Sequence, residues 1–383
     1  MQRPAQKYYC LLLLWLLLVF TQCRKPYVPA VFIKGDNYLV VDGFINTSPG
    51  GSSTVLLSRT KNLTDTVLSI PENNAAVSIQ AAGGASFALT ASGTDGRYTS
   101  GPLSLTTATQ YKIVINTADK QQYASDLVTA RVTPAIDSIT WQQNSKGVQV
   151  FANTHDAGNN TRYYRWQYIE TWEYHSQLET IWGVNNGVAY VRTPEQQVHT
   201  CYVSTPSSRI LLGSTAALAR DVVSNAVLAT LPPNDSTLQY RASFLVQQYA
   251  LTPQAYFYWQ IIQKNAEQLG SLFDLQPSQL EGNIHCLTNP AEPVVGFMSA
   301  TTVQEKRIFI NNSDLQNWQP GPGSYDCSVT DIAPNPVNFL IINFPDDSYA
   351  PWYYVSNGPL KMAKKACLDC TLSGGVNIKP LYW

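Results

Sequence analysis

The sequence has few charged residues and few histidines, and it lacks the short motifs of familiar catalytic sites. Asp, Glu, Lys and Arg together make up 13% of the chain, about half the usual share. It has no basic stripe and no acidic tail, which argues against a nucleic acid partner. The patterns GxSxG, HExxH, GxGxxG, the P-loop and the EF-hand calcium loop are all missing.

These absences predict a protein that is not an enzyme and holds no cofactor or metal. The four histidines are scattered without metal-ligand spacing, and we expect each on the surface or in a loop: His155, His175, His199 and His285. Glu170 and Glu173 are the one carboxylate pair to consider, but on a strand they point to opposite faces. We expect one of the two to pair with Arg165 or Arg241 and the other to be solvated.

One apolar run opens the chain, and it predicts export. Leu11–Phe20 follows the basic residues Arg3 and Lys7 and precedes Cys23. Ten residues are too few to span a bilayer but suit a signal sequence. We therefore predict a lipoprotein signal peptide over 1–22 and lipidation of Cys23. Gln22 is bulky for a lipobox, so ordinary signal peptidase cleavage nearby is the alternative.

After a tether over 23–35, residues 36–133 predict an immunoglobulin-like β-sandwich. About seven short strands separated by Gly, Pro and Asp turns favour this fold. The predicted strands are Tyr38–Ile45, Thr54–Arg59, Ala75–Gln80, Phe87–Thr90, Arg97–Ser100, Tyr111–Asn116 and Leu127–Val132. Tyr111 is expected to form a tyrosine corner that ties down a loop.

Residues 134–383 predict a larger β-rich, sandwich-like domain with one inserted α-helix, so the whole chain is expected to be mainly β. Thr252-Pro253 caps a helix near 253–269 that keeps apolar residues along one side. Residues 312–360 are rich in Pro, Gly and Asn and predict long loops. The apolar end Leu381-Tyr382-Trp383 is expected to dock on the domain.

A strip of aromatic residues is the candidate platform for a ligand or partner. Alternation from Tyr163 to Tyr174 places Trp166, Tyr168, Glu170 and Trp172 on one face of a strand. Such rings stack on sugars or peptide side chains. A sandwich of this size also needs an aromatic core, and the strip suits that role better.

Five cysteines remain after Cys10 and Cys23 are set aside: Cys201, Cys286, Cys327, Cys367 and Cys370. An oxidising envelope predicts two disulfides and one free thiol. A bridge between Cys327 and Cys367 would restrain the loop-rich segment. The CxxC pair Cys367 and Cys370 lacks a second ligand pair for zinc and a βαβ context for redox chemistry, so we expect structural disulfides there.

Several short motifs are spread along the chain: Val40-Val41-Asp42-Gly43, Tyr163-Tyr164-Arg165-Trp166, Glu170-Thr171-Trp172-Glu173-Tyr174, Glu281-Gly282-Asn283-Ile284, Val295-Gly296-Phe297, Cys367-Leu368-Asp369-Cys370, Gly374-Gly375 and Pro380-Leu381-Tyr382-Trp383. Together they resemble the motifs of the DUF4249 family, envelope lipoproteins of Bacteroidota. The family name records an unknown function. Its members are typically encoded beside TonB-dependent outer-membrane transporters, so the resemblance implies an accessory partner of such a transporter.

The sequence thus predicts a non-catalytic protein anchored to the outer membrane by lipid on Cys23. A stand-alone glycan- or peptide-binding surface lipoprotein is the alternative, and an unrecognised hydrolase comes third. Arg24-Lys25 replaces the acidic residues that often follow the cysteine in surface-exported lipoproteins of the phylum. The leaflet is therefore left open between the periplasmic and the cell-surface side.

Overall fold

Strands dominate the structure, a computed structural model that describes residues 37–61, 70–185, 188–267, 282–321, 326–332, 348–354 and 360–383. The mainly β fold expected from the sequence is confirmed. The predicted signal peptide, Cys23 and the tether lie outside the described residues. None of the helices within the described ranges is long and apolar enough to cross a membrane.

The first unit is built from short strands whose side chains alternate between core and solvent. In β8, for example, Tyr111, Ile113 and Ile115 are buried while their neighbours are not, the period of two that a half-buried strand requires. Its strands are β1 (Leu39–Gly43), β2 (Ile45–Asn46), β3 (Thr54–Arg59), β4 (Ile70–Pro71), β5 (Ala76–Ala81), β6 (Ser86–Ala91), β7 (Arg97–Thr99), β8 (Gln110–Asn116), β9 (Gln122–Ser125) and β10 (Val128–Thr129).

The second unit has longer strands, one long α-helix and several single 3-10 turns. Its strands up to the helix are β11 (Ile136–Asn144), β12 (Gly147–Asp156), β13 (Tyr163–His175), β14 (Trp182–Asn185), β15 (Val188–Val191), β16 (Thr200–Pro206), β17 (Leu211–Ser214), β18 (Asp221–Leu231) and β19 (Arg241–Ala250). The 3-10 turns are Pro194–Gln196, Ser236–Leu238, Asn312–Asp314 and Cys370–Ser373. Helix α1 (Pro253–Glu267) begins with proline at its first position, as predicted.

Short strands follow α1, and they do not all stay with the second unit. They are β20 (Ile284–Cys286), β21 (Val295–Gly296), β22 (Ala300–Thr301), β23 (Val303–Asn311), β24 (Thr330–Ile332), β25 (Tyr349–Tyr354) and β26 (Leu360–Lys364), before the one-turn helix α2 (Lys365–Leu368). Residues 312–360 were expected to be loops, but β24 and β25 lie there and pair with β26. That part of the loop prediction is wrong.

The first unit forms an eleven-stranded sheet that folds back on itself. Its order is β20-β9-β8-β5-β6-β7-β3-β1-β21, with β10 on β8 and β4 on β3. The two halves of this path enclose one apolar core, which includes Leu39 and Leu57 from one half and Ile79 and Ile113 from the other. Tyr111 donates a hydrogen bond from its hydroxyl to the Thr106 carbonyl oxygen at 2.9 Å, so the predicted tyrosine corner is confirmed.

The second unit is a sandwich of two sheets. A three-stranded sheet, β11-β12-β18, packs on a five-stranded one, β16-β13-β19-β23 with β17 beside β13. Val148 and Val150 from the first sheet and Trp166 and Phe244 from the second share its core. The outer face of the larger sheet is covered by α1 near one end, where Trp259 meets Arg165, and by the chain end near the other.

The first unit takes strands from a later part of the chain, an arrangement that we call the strand exchange. Residues 284–301 were predicted to belong to the second domain, yet β20 pairs with β9 and β21 pairs in parallel with β1. Ile284, Cys286, Val294, Met298 and Ala300 are buried in the core of the first unit. The covalent order of the chain therefore does not follow the boundary between the two cores.

Candidate functional site

The centre of the predicted aromatic platform lies inside the second core. Trp166 is only 1% exposed, stacks on Tyr164 with ring centroids 5.6 Å apart, and donates Nε1–H to Gln248 Oε1 at 2.8 Å. Tyr168 and Trp172 pack against the same core and are partly buried. A ligand cannot reach the face of Trp166, so for this residue the structure shows the core role and not the platform.

Glu170 is the polar exception in the strip. Its Oε1 is buried and has no hydrogen-bond partner among the described residues. Burial raises the pKa of Glu170 to about 7, the nearby Asp235 carboxylate acts in the same direction, and a hydrogen bond with Thr237 opposes both. The expected pairing of one glutamate with Arg165 or Arg241 is wrong, because those guanidinium groups lie over Trp259 and Phe309.

Glu173, the other member of the carboxylate pair, is held by its neighbours and is not solvated. Its Oε1 lies 2.7 Å from Nε2 of His175, and its Oε2 accepts a hydrogen bond from Trp383 Nε1 at 3.1 Å. The two carboxylates therefore have different surroundings, and they do not form a shared acid and base pair.

The cysteines form two disulfides and leave one thiol, as predicted. Cys327 and Cys367 are joined across the loop-rich segment, and Cys201 is joined to Cys370. Cys286 is free and buried. The two cysteines of the CxxC motif thus enter different bridges: Cys370 fastens the end of the chain to the second sandwich, and Cys367 fastens it to the loop-rich segment.

The histidines make local contacts, and His175 and His199 also lie beside each other with ring centroids 5.0 Å apart. His155 pairs with Asp137, His175 with Glu173 and His285 with Asp126, while Ser176 lies 3.0 Å from Nδ1 of His199. Within the described ranges, no group of three or more His, Cys, Asp or Glu is placed to hold a metal ion.

Four of the quoted sequence motifs meet where the two units join. Strand β1 carries Val40 and Val41, which pair with Val295 and Gly296 of β21. Gly43 and Phe44, which follow on this segment, line a small recess with Arg165 and Phe297. Segments far apart in the chain therefore build one junction, a feature that no single motif predicts.

Glycine is required at this junction because backbones touch there. A Cβ added to Gly282 would lie 1.9 Å from the carbonyl oxygen of Gly296, a severe clash with main chain. The next residue, Asn283, clamps the neighbouring segment: its Nδ2 donates to the Met298 carbonyl oxygen at 2.9 Å and its Oδ1 accepts from the Met298 amide at 2.7 Å. Asn283 also accepts the amide of Asp126 at its carbonyl oxygen. These contacts hold the first unit and residues 282–301 in register.

A cleft of about 670 Å³ opens beside this junction. We call it the junction cleft. Its lining comes from the end of the first unit, from α1 and its approach, and from the exchanged segment: Asp126, Leu127, Val128, Thr129, Arg131, Ala250, Thr252, Gln254, Phe257, Tyr258, Ile261, Gly282, Asn283, Phe297, Met298, Ser299 and Ala300. This volume is in the range of small-ligand sites.

Two polar groups of the junction cleft have no hydrogen-bond partner in the part of the chain that the structure describes. Arg131 Nε and Ser299 Oγ are buried, and neither forms a hydrogen bond with any described residue. Asp126 is the other charged residue of the lining, and it is paired with His285 at 3.2 Å. Burial also raises the pKa of Tyr258 to about 12. The Arg131 guanidinium has no ion-pair partner among the described residues, so the cleft that it lines favours an anionic ligand.

The recess behind the cleft shares Phe297 and Ser299 with it but is far smaller, about 20 Å³. Arg165 lines this recess, and its guanidinium lies 3.7 Å from the ring centroid of Trp259. Burial lowers the pKa of Arg165, and the Asp42 carboxylate partly offsets this. The stacking of Arg165 on Trp259 therefore connects β13 to α1 beside the cleft.

A second cleft, of about 600 Å³, lies at another edge of the first unit. Arg59 Nε is 2.6 Å from Glu72 Oε2, and the Tyr123 hydroxyl donates to Glu292 Oε1 at 2.7 Å. Burial and that hydrogen bond raise the pKa of Tyr123 above its ordinary value. These side chains form hydrogen bonds and ion pairs with one another, and through Glu292 they hold the 289–293 loop to the sheet.

A comparison with protein families returns one match, the family described as Domain of unknown function (DUF4249), over residues 24–307. The chain belongs to the DUF4249 family. A comparison with curated proteins finds no match. The DUF4249 match contains the whole junction cleft and stops before the segment with Cys327, Cys367 and Cys370.

Sequence reasoning missed the central residue of the junction cleft. Arg131 stands near the predicted end of the first domain, in no motif. Many of the other residues that line the cleft come from α1 and from residues 282–300, more than 100 positions later in the chain. The DUF4249 motifs Gly282-Asn283 and Gly296-Phe297 were the signal that this region mattered, although they gave no ligand chemistry.

Proposed function

We propose that this DUF4249 protein is a non-catalytic, lipid-anchored binding protein of the outer membrane, a partner of a TonB-dependent transporter, and that the junction cleft is its binding site. The observation that carries the proposal is the cleft itself, because it combines a ligand-sized volume with an unpartnered Arg131 Nε. Clefts at the boundary between two packed units are common ligand sites.

Binding, and not catalysis, is supported by the chemistry of the lining. A hydrolase needs an acid, a base or nucleophile, and a place for the reacting atom between them. In the junction cleft the charged side chains are Asp126 and Arg131, and Asp126 is already paired with His285. Arginine stays protonated at ordinary pH and acts as an anchor for acceptors.

The anchor is tested by lipid labelling in the native host. Cells fed an alkyne fatty acid are expected to label the wild-type protein, and the Cys23→Ala variant is expected to lose both the label and the membrane fraction. If the label stays on Cys23→Ala, the lipid is attached elsewhere. If wild type carries none, signal peptidase cleavage without lipidation replaces the proposal.

The transporter partnership is tested by extraction of the tagged protein from membranes in mild detergent. The tag belongs in the turn at Gly83 and Gly84, which is exposed and has open space around it. The chain end is unsuitable, since Tyr382 and Trp383 are packed on the second sandwich. We expect a transporter to co-purify in near-equal amount.

The control is an untagged strain taken through the same purification. Recovery of the protein alone from the outer-membrane fraction would reject the partnership and leave a stand-alone binding lipoprotein. The exposed apolar residues Leu127 and Phe257 of the cleft favour a peptide over a glycan as the ligand of such a protein.

A further inference from the structure

The walls of the junction cleft present apolar side chains to solvent. Leu127 and Phe257 line it and are 46% and 53% exposed. Ile261 and Phe297 continue the same walls. Covering such surface releases roughly 25 cal/mol for each Å² removed from water. The walls therefore suit a ligand with an apolar body.

Arg131 supplies the matching charge. Its backbone N–H donates to the Ala300 carbonyl oxygen at 2.9 Å, and its side chain lines the cleft without a carboxylate partner among the described residues. A guanidinium fork binds a carboxylate through two parallel hydrogen bonds.

The remaining charges near the site do not cancel this one. Among the described residues Asp126 pairs with His285 and not with Arg131, and Asp42 faces Arg165 and Tyr258. Arg131 is therefore the cation of the cleft, and it has no carboxylate partner among the described residues.

The polar part of the lining distinguishes a peptide from other carboxylates. Thr129, Thr252 and Gln254 place hydroxyl and amide groups among the apolar walls, and these groups suit the N–H and C=O groups of a peptide better than an acyl chain. A sugar acid would need hydrogen-bond partners for its hydroxyl groups along its whole length, whereas Leu127, Phe257, Ile261 and Phe297 make these walls apolar.

We propose that the junction cleft binds the C-terminal end of an apolar peptide, with its terminal carboxylate on the guanidinium of Arg131 and its side chains against Leu127, Phe257 and Phe297. This proposal rests on the binding function proposed above and names the ligand class. It does not depend on whether a transporter is the partner.

The test uses the full lipidated protein in lipid nanodiscs and two pools of N-acetylated tripeptides. Each pool has Leu, Ile, Val or Phe at every position, one pool with free carboxylates and the other with C-terminal amides. Retained peptides are identified by mass spectrometry, and the affinity of the best one is measured by calorimetry. We expect retention from the carboxylate pool and at least tenfold weaker binding of the matched amide, as for the loss of a charge-assisted hydrogen bond.

Arg131→Gln is expected to weaken the carboxylate peptide by about tenfold or more and to remove its advantage over the amide. Arg97→Gln is the control, because Arg97 is exposed, pairs with Asp95 and does not line the cleft. If Arg131→Gln fails to fold, the comparison of acid and amide on the unaltered protein still decides. Equal retention of both pools, or of neither, overturns the ligand class, and a transporter recovered in the extraction would still support the partnership.

Discussion

Glu170 shows how a single residue sets a pH dependence. Because burial raises its pKa to about 7, the folded protein holds a proton there that the unfolded chain, with a pKa near 4.5, releases. Between these two values the folded state binds more protons, so the free energy of unfolding falls as pH rises. The stabilising contribution is complete below pH of about 4.5 and is lost once the pH passes about 7.

Glu170→Gln removes this charge and is expected to be more stable than wild type at pH 8, by about 2 kcal/mol. At pH 4.5 the advantage should vanish, since both side chains are then neutral. Urea unfolding at a series of pH values measures the difference. A variant that is no more stable at pH 8 would show that Glu170 finds a partner in solution.

Gly282→Ala tests the contact on which the junction depends. The added Cβ would lie 1.9 Å from the Gly296 carbonyl oxygen, so residues 282–301 must move away from the first unit. We expect a loss of about 2–4 kcal/mol, in the range of severe steric substitutions. Gly83→Ala is the matched control, because nothing lies within 4 Å of its Cβ position. Equal midpoints for the two variants in urea unfolding would contradict the close contact.

At the residue scale, the sequence predicted local features and missed those made by distant neighbours. The Tyr111 corner was predicted because its acceptor, Thr106, is only five positions away. The pairing of Glu170 was wrong and Arg131 was missed, because in each case the deciding neighbours come from other strands. A sequence gives the spacing of residues along a strand but not which strand lies across from it.

At the scale of elements, the predicted docking of the chain end holds for Tyr382 and Trp383, while Leu381 is fully exposed. The Arg307 guanidinium lies 3.5 Å from the Tyr382 ring centroid, and Trp383 packs on Phe309 and Tyr202. Trp383 also donates to Glu173. These contacts cover the outer face of the larger sheet at the end away from α1.

Deletion of residues 382–383 is expected to cost about 2–4 kcal/mol, from two cation–π contacts, two aromatic pairs and one hydrogen bond to a carboxylate. Differential scanning calorimetry measures the loss. Leu381→Ser is the control, because Leu381 is fully exposed and its replacement should leave the transition temperature unchanged. A deletion variant as stable as this control would mean that the end of the chain is not docked in solution.

Elements with strong local signals were the ones that the sequence predicted. Helix α1 has a proline start and a regular apolar side, and β3, β5 and β8 alternate cleanly. β9, β20 and β22 have two to four residues each, too few for a period to show. Their conformation is decided by the strands they pair with, so it depends on the tertiary fold.

At the scale of the molecule, the two units are not consecutive, independent domains, because the later part of the chain contributes to the first unit. β20 and β21 complete both ends of the first sheet, and five buried side chains of residues 284–300 fill its core. The sequence prediction of a separate domain over 36–133 rested on strand spacing, which carries no information about strands supplied from elsewhere. The junction cleft exists because of this exchange, since residues 282–300 form one of its walls.

The exchange predicts how the first unit behaves alone. Residues 37–133 without residues 282–302 lack two edge partners and the buried Ile284 and Met298, so we expect no cooperative unfolding transition and strong binding of a hydrophobic dye. A synthetic peptide of residues 282–302 should restore the transition, because it returns the missing strands and core. The same peptide with Ile284→Ser and Met298→Ser should restore much less. A fragment that unfolds cooperatively by itself would instead establish an autonomous first domain, and the cleft would then lie between two independently stable parts.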